Sequence, residues 1–140
     1  MPTIQLDIVS AESQLFSGPV KMVFASGMLG EMGIAPGHAP LISLLKPGCI
    51  RAILPDGKEE IFYVSSGSLE VQPDVVTVLA DTAVRAENLD ETLALEARGR
   101  AENALKTAKD TFNYAASLTE LAETAAKIRA IQQLRSVKRK

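Results

Sequence analysis

The sequence is poor in several residue types that small proteins use for chemistry. Its 140 residues include no Trp, one Cys and one His, and aromatic residues make up only 4% of the chain. A single cysteine, Cys49, excludes an internal disulfide, and with no signal-peptide pattern it predicts a reducing, cytosolic compartment. Because aromatic rings are scarce, aliphatic side chains must fill the core, and a hydrophobic fraction of 46% is enough for one.

Two further absences narrow the class of protein. No apolar run approaches the ~20 residues that a membrane-spanning helix requires, so any membrane association is expected to come through a partner. The formal net charge of -2 argues against a general nucleic-acid binder. The length suits one domain, or one domain with an appendage.

The first part of the chain alternates apolar and polar residues with a period of two. Ile4, Leu6 and Ile8 point to one side of a predicted strand, and turn residues then punctuate the sequence at short intervals. We expect Gly18-Pro19, Pro47-Gly48 and Gly67 to interrupt strands. Short strands at regular spacing indicate a β-sandwich or barrel. The expected strand segments are 3–9, 16–24 (interrupted), 41–45, 49–54, 61–64, 69–71 and 75–80.

The periodicity becomes helical near residue 86. Asn88 followed by Glu91 resembles a capping box, which predicts a helix start there. Apolar residues then recur every three or four positions on two segments separated near residues 109–113, so we expect an antiparallel helical hairpin. Gly99 is a poor interior helix residue, and either a surface position or a point of close packing would explain it. The predicted domains are 1–86 and 87–140. The residues of the two apolar stripes are Leu89, Leu93, Ala97, Ala101, Ala104, Leu105 and Ala108, then Tyr114, Leu118, Leu121, Ala125, Ile128, Ile131 and Leu134.

The end of the second helix is basic. A solvated helix end with cations near its C-terminus explains this pattern, and so does a basic arm that seeks an acidic partner surface. Both interpretations stay open at this point. The basic residues are Lys127, Arg129, Arg135, Lys138, Arg139 and Lys140.

The stretch 27–41 is the most distinctive part of the sequence, with four glycines, two prolines and the only histidine, His38. The glycine spacing fits neither a dinucleotide-binding fingerprint nor a P-loop. We therefore expect a set of bends that displays Glu31 and His38. An acid–base pair of His38 with Glu31 or Asp56 is conceivable, but nothing organises a third catalytic group, and Cys49 has no nucleophile or metal-ligand pattern around it.

Residues 30–41, Gly-Glu-Met-Gly-Ile-Ala-Pro-Gly-His-Ala-Pro-Leu, resemble the signature loop of the epsilon subunits of bacterial F-type ATP synthases. Leu-Leu-Lys-Pro-Gly at 44–48, the segment 67–83, Leu-Asp-Glu at 89–91 and the helix at 114–134 extend the resemblance over essentially the whole chain. It implies an α+β fold, in which a flattened antiparallel β-sandwich of about ten strands is followed by an antiparallel α-helical hairpin. It also implies a non-catalytic rotor subunit without a cofactor.

The resemblance further implies partners and contact residues. The sandwich would lie against the gamma subunit and the c-subunit ring, with Glu31 facing the c ring and His38 near gamma. The hairpin would either fold onto the sandwich or extend into the alpha and beta catalytic subunits and inhibit ATP hydrolysis. Arg129 and Arg135 would then meet acidic segments of beta. The expected location is peripheral, on the cytoplasmic side of the bacterial inner membrane.

One position departs from the pattern of relatives that bind ATP in the hairpin. Their motif is Ile or Leu, Asp, two variable residues, Arg and Ala, and this chain has Leu93 in place of the Arg. Leu cannot donate the charge-assisted hydrogen bonds that a phosphate requires. We therefore expect ATP binding to be weak or absent, which disfavours the alternative of a stand-alone small-ligand or nucleotide sensor.

Overall fold

A computed structural model describes residues 2–138, and for Lys138 it describes the backbone alone. Arg139 and Lys140 of the basic run lie outside the described residues. The described chain forms nine strands, a short 3-10 turn at Ala86–Asn88 and two α-helices. The elements are β1 Ile4–Ser10, β2 Gln14–Val20, β3 Met22–Gly27, β4 Gly30–Ile34, β5 Leu41–Ile53, β6 Glu59–Val64, β7 Gly67–Val71, β8 Val75–Ala80, β9 Ala83–Arg85, α1 Glu91–Thr107 and α2 Thr111–Lys138.

The strands pair in the order β2-β1-β8-β7-β5-β3-β4, and β6 pairs with β5 and β9. All pairs are antiparallel except β1 with β8, which is parallel. The strands enclose an aliphatic core, and the alternation predicted for β1 is confirmed because Ile4, Leu6 and Ile8 are fully buried. The α+β class with a β-sandwich before two helices is therefore confirmed, with one parallel pair as a correction.

Strand β5 is longer than predicted because Pro47-Gly48 does not end it. Its first part, 41–45, pairs with β7, and its second part, 48–53, pairs with β6. The proline falls where the partner strand changes, so its missing N–H costs little pairing. Gly18-Pro19 likewise lies inside β2, an edge strand that pairs with β1 alone. The interruption expected there occurs at Lys21 instead.

Both helices begin at aspartates that the sequence pattern did not single out. The Asp90 carboxylate accepts a hydrogen bond from the Leu93 N–H at 3.2 Å, so the predicted cap at Asn88 is wrong. Asn88 instead ends the 3-10 turn. Asp110 accepts from the Asn113 N–H at 2.7 Å, and the break between the helices is 108–110. A side-chain oxygen satisfies an otherwise unpaired N–H of the first turn in both places.

The hairpin is folded onto the sandwich through the second helix. Ala126 and Ala130 of α2 pack against Ile61 and Tyr63 of β6, together with Ala86. The N-terminal part of α1 packs on the same helix, through a small cluster of Ala94, Ile128 and Ile131. The prediction that α1 buries Leu93 is wrong, because that side chain is 62% exposed. The division of the chain at residue 86 stays a prediction.

Candidate partner-binding surfaces

Three surfaces carry the residues of interest: the seam between hairpin and sandwich, the ends of strand β4, and the outer face of the sheet. The described residues contain no group of three His, Cys, Asp or Glu side chains that could hold a metal ion. No helix in the described part of the chain combines the length and apolar character needed to span a membrane.

Cys49 lies at the seam, under α2. Its Sγ is 3.8 Å from the carbonyl oxygen of Ala126, and it contacts the cluster that joins α2 to the sandwich. Burial raises the pKa of this thiol from 9.0 to about 11, while nearby Arg129 lowers it and Glu31 raises it by smaller amounts. The structure thus brings Glu31 and Arg129, for which the sequence implied different partners, to the surroundings of one thiol.

Tyr63 lies under the same helix and is fully buried, whereas Cys49 is half-buried. Burial, and secondly the Glu123 carboxylate, raise the pKa of its hydroxyl. The Lys127 ammonium of α2 is 5.3 Å from the centre of the Tyr63 ring, a cation–π distance. The seam therefore combines small apolar contacts with one cation–ring contact, and the raised pKa values keep Cys49 and Tyr63 neutral at pH 7.

The raised thiol pKa predicts slow alkylation of Cys49. Only the thiolate reacts, and two pKa units lower its fraction about a hundredfold at pH 8. We expect the rate of alkylation by iodoacetamide to rise with a midpoint near pH 11 in the folded chain. The urea-unfolded chain is the control and should show a midpoint near 9. A midpoint near 9 in the folded chain would contradict reaction of the thiol in its covered position and would indicate reaction through an undocked hairpin.

The same shift links docking of the hairpin to pH. Between pH 9 and 11 an uncovered thiol loses its proton while the covered thiol keeps it. The docked state then holds more protons than the undocked state, so its stability is complete below pH 9 and falls as pH rises toward 11. Tyr63 acts in the same direction because its pKa is also raised.

Glu31 and His38 lie at opposite ends of β4 and its following loop. Glu31 is exposed, pairs in register with Ser26, and lines a cleft with Cys49 and Gln133. His38 is half-buried, and its Nδ1 donates to the carbonyl oxygen of Ala39 at 2.7 Å, because a carbonyl can only accept. In the described part of the chain His38 makes no hydrogen bond to Glu31 or Asp56, so the conceivable acid–base pair is not formed.

Arg129 and Arg135 are both exposed on α2 but differ in their contacts. Arg135 forms an ion pair with Glu91, the first residue of α1. Arg129 has no ion-pair partner within the described residues and lies near Cys49. The two arginines are six positions apart on one helix. In the docked hairpin Arg135 is paired with Glu91, whereas Arg129 remains available to another molecule.

An apolar surface that the sequence analysis did not single out covers one side of the sheet. Register places Leu44 of β5 and Leu79 of β8 on either side of Ser68, and Ile42 lies two residues from Leu44 on the same face. The turn after β3 adds to it, since the Met28 N–H donates to the Leu44 carbonyl. We call this surface the outer apolar face; its residues are Met28, Leu29, Ile42, Leu44 and Leu79, each between 50% and 104% exposed.

The sequence of strand β5 carries a signal for this face. Strand 41–45 has apolar residues at four of five positions, which is typical of a strand covered on both sides. Here only one side is covered within the chain, because Leu45 is buried while Ile42 is 75% exposed. A large exposed apolar patch of this kind marks an interaction surface.

Comparison with known proteins agrees with the fold. Residues 3–86 match the family described as ATP synthase, Delta/Epsilon chain, beta-sandwich domain. The ATP synthase epsilon chains of Acinetobacter baumannii strains ATCC 17978 and AYE are 55% identical over 136 residues, covering 97% of this chain and 98% of theirs.

Two solved structures share the fold at low identity. A chain of the Euglena gracilis mitochondrial ATP synthase (OSCP/F1/c-ring, rotational state 1) matches with a TM-score of 0.84 and 23% identity, over 94% of this chain and 83% of that one. A chain of the Tetrahymena thermophila mitochondrial ATP synthase central stalk and c ring matches with a TM-score of 0.60 and 12% identity, over 93% and 97%. The family match over residues 3–86 and the 55% identity over nearly the full length show that this chain belongs to the epsilon chain family of ATP synthases.

Proposed function

We propose that this chain is a rotor subunit that couples proton translocation to ATP synthesis and restrains ATP hydrolysis through its hairpin. Membership of the epsilon chain family makes it a non-catalytic subunit of an ATP synthase. The observation that carries the proposal is that the chain has two different surfaces, one rigid and one weakly held. The sandwich presents a fixed apolar face, whereas α2 is held to the sandwich by two buried alanines, Ala126 and Ala130, and by the partly buried side chains of Leu134 and Val137.

The outer apolar face supplies the anchor. Ile42, Leu44 and Leu79 of this face lie on strands, which hold their side chains in fixed positions, while Met28 and Leu29 lie in the adjoining turn. All five apolar side chains are exposed to water in the isolated chain. Burying such side chains contributes about 1.5–3 kcal/mol each, so a partner gains substantial binding energy by covering them. We assign this face to the gamma subunit of the central stalk.

Glu31 and His38 flank the outer apolar face. Glu31 is the second residue of β4 and follows directly on the turn that holds Leu29, and the His38 loop leads into β5 just before Ile42. His38 is fixed there because the Gly37 N–H donates to the Pro73 carbonyl at 2.8 Å. This placement supports the implied contacts of Glu31 with the polar loops of the c ring and of His38 with gamma, and both remain proposals.

A charge in the outer apolar face is expected to weaken assembly. Ile42→Lys and Leu44→Lys should lower the affinity of the chain for the rest of the synthase by at least about tenfold, since each removes an apolar contact of about 1.5–3 kcal/mol. The melting temperature should stay nearly unchanged because both side chains are exposed. Co-purification and binding titration measure the loss. Glu96→Lys, an exposed change on α1, is the control, and equal affinity in all three variants would contradict the anchor.

The hairpin is the regulatory element. Two of the four α2 side chains in the seam are alanines, which bury little area, and the other two, Leu134 and Val137, are only partly buried. The seam is therefore weak for the length of α2, and the docked and extended arrangements can lie within a few kcal/mol. Arg129 is available on the surface of α2 and Arg135 becomes available when the hairpin opens. We assign these two guanidinium groups to acidic segments of the beta subunits, with the hairpin reaching between alpha and beta.

The proposed location follows from the assembly. A chain that binds the gamma subunit and the c ring is peripheral to the membrane in which the ring is embedded. We propose the cytoplasmic side of the bacterial inner membrane, in line with the bacterial relatives that share 55% of its residues.

ATP is expected to bind weakly or not at all to the isolated chain. Leu93 is exposed and apolar, and the Asp90 carboxylate is engaged in capping α1. A ligand that binds only the folded state must raise the melting temperature, so millimolar ATP should leave it unchanged. Thermal unfolding with and without ATP measures this, with GTP as the matched control. A clear ATP-specific rise would favour the alternative of a nucleotide sensor.

A further inference from the structure

One ion pair ties the end of the hairpin to its beginning. Arg135 in the last turns of α2 contacts Glu91, the first residue of α1, across a separation of 44 residues. Both ends of the carboxylate are used: Nη2 pairs with Oε2, and Nη1 donates to Oε1 at 3.2 Å. Two parallel bonds between these planar groups fix orientation as well as distance.

The ion pair depends on the hairpin being closed. One turn along α1 from Glu91, Ala94 packs against Ile128 and Ile131 of α2. Just before Glu91, Ala86 packs against α2 together with Tyr63 of the sandwich. The position of the Arg135 side chain relative to Glu91 is therefore set by two sets of contacts. The Ala94 cluster closes α1 onto α2. The Ala86 cluster, five residues before Glu91, also docks α2 on the sandwich.

We propose that Glu91 and Arg135 form a latch that sets the fraction of chains with a docked hairpin. The latch deepens the proposed function and rests on it for its consequence in the synthase. In the synthase, Glu91 and an acidic segment of the catalytic subunits would compete for Arg135. While the hairpin is docked, Arg135 binds Glu91 and is not available to the catalytic subunits.

The latch is weak enough to open. The Arg135 and Glu91 side chains are 54% and 36% exposed, so water and salt screen their attraction. Exposed ion pairs typically change an equilibrium by up to about fivefold. We therefore expect loss of the pair to raise the undocked fraction about two- to fivefold and to leave the fold of the sandwich intact.

The only cysteine supplies a probe of docking in the full-length isolated chain. Cys49 lies under α2 beside the Ala126 carbonyl, so a thiol reagent reacts faster when the hairpin undocks. The variants are Glu91→Gln, Arg135→Gln and the double variant. Glu102→Gln is the matched control, because it breaks the Arg98–Glu102 pair, which lies wholly within α1.

Each single variant should raise the alkylation rate of Cys49 two- to fivefold, and the double variant should raise it only slightly beyond Arg135→Gln alone. Glu91 also favours the dipole at the start of α1, and the step from Arg135→Gln to the double variant measures that separate effect. The control should leave the rate unchanged. An unchanged rate in both single variants, or fully additive effects in the double variant, would overturn the latch.

Measuring ATP hydrolysis by the synthase distinguishes failure of the latch from failure of the proposed inhibitory function. If the latch is correct and the hairpin inhibits, Glu91→Gln should lower ATP hydrolysis because more Arg135 is released for the catalytic subunits. A raised alkylation rate with unchanged hydrolysis would support the latch and contradict the inhibitory function. A raised rate in the isolated chain together with lower hydrolysis supports both.

Discussion

A chain that ends at Ala86 is expected to bind the synthase and to raise ATP hydrolysis by the catalytic complex several-fold over the full-length chain. The sandwich core is formed by strands alone, and the outer apolar face lies wholly before residue 86. Removal of the hairpin should thus delete the inhibitory element and keep the anchor. Hydrolysis by the detached catalytic complex reconstituted with either chain measures the difference.

The size of the increase reports how many hairpins are extended in the complex. If about nine in ten are extended and inhibitory, their removal raises hydrolysis about tenfold, and if half are extended it doubles the rate. The docked arrangement of the free chain does not fix this ratio, because the catalytic subunits stabilise the extended state by their own contacts. Binding of both chains must be matched, since a chain that dissociates also releases inhibition.

Point variants test the inhibitory role in a chain that still has its hairpin, and so they complement the truncation. Arg129→Gln should raise hydrolysis in part, because Arg129 is exposed and available to an acidic segment. Arg100→Gln, an exposed arginine of α1, should not change it. Equal hydrolysis with the full-length and shortened chains, both bound, would contradict the inhibitory role and leave the hairpin a structural element.

The elements that sequence alone predicts well are those with a strong local pattern. Alternation at Ile4, Leu6 and Ile8 predicted β1, and a period of three to four predicted two helices. Both patterns arise because one side of the element is buried within the chain. Apolar residues then recur at the period with which the element returns to its buried side. The order of a sandwich followed by a hairpin could be read without any knowledge of tertiary contacts.

The errors fall where local signals compete or where a partner is missing. Asn88 and Asp90 are both good cap residues, and the choice depends on how Ala86 and Leu89 pack on α2. The exposure of Leu93 and Ile42 has no signal in the sequence, because an apolar residue looks the same whether its neighbour is in the chain or in another subunit. Sequence patterning cannot separate these cases.

The seam could not be predicted from the sequence at all. It brings together Glu31, Cys49 and Arg129, which come from β4, β5 and α2. No local pattern links these positions, because their proximity follows from the way α2 crosses the sandwich. The resemblance supplied Glu31 and Arg129 as separate contact residues, and only the fold shows that they share one region. The ion pair of Glu91 with Arg135 is another contact of this kind.

Gly67→Ala is expected to destabilise the sandwich by roughly 3–5 kcal/mol, which combines severe overlap with backbone strain. Gly67 begins β7 with φ +158°, a conformation that L side chains rarely adopt. An added Cβ would lie 1.9 Å from the Leu79 carbonyl oxygen and 2.8 Å from the Ala80 Cα. Both are backbone atoms of the neighbouring strand β8, so relief requires strand separation and not a side-chain rotation.

Urea and thermal unfolding measure this loss, and Gly99→Ala is the matched control. Gly99 lies inside α1, and a Cβ there meets no atom within 4 Å, so close packing is not the reason for this glycine. The same substitution should therefore stabilise the helix by up to about 1 kcal/mol. A loss of 3–5 kcal/mol is a large part of the 5–15 kcal/mol typical of a domain, so poor yield of folded Gly67→Ala is also an expected result. Similar unfolding midpoints for the two variants would show that the β7–β8 pairing differs from the one described.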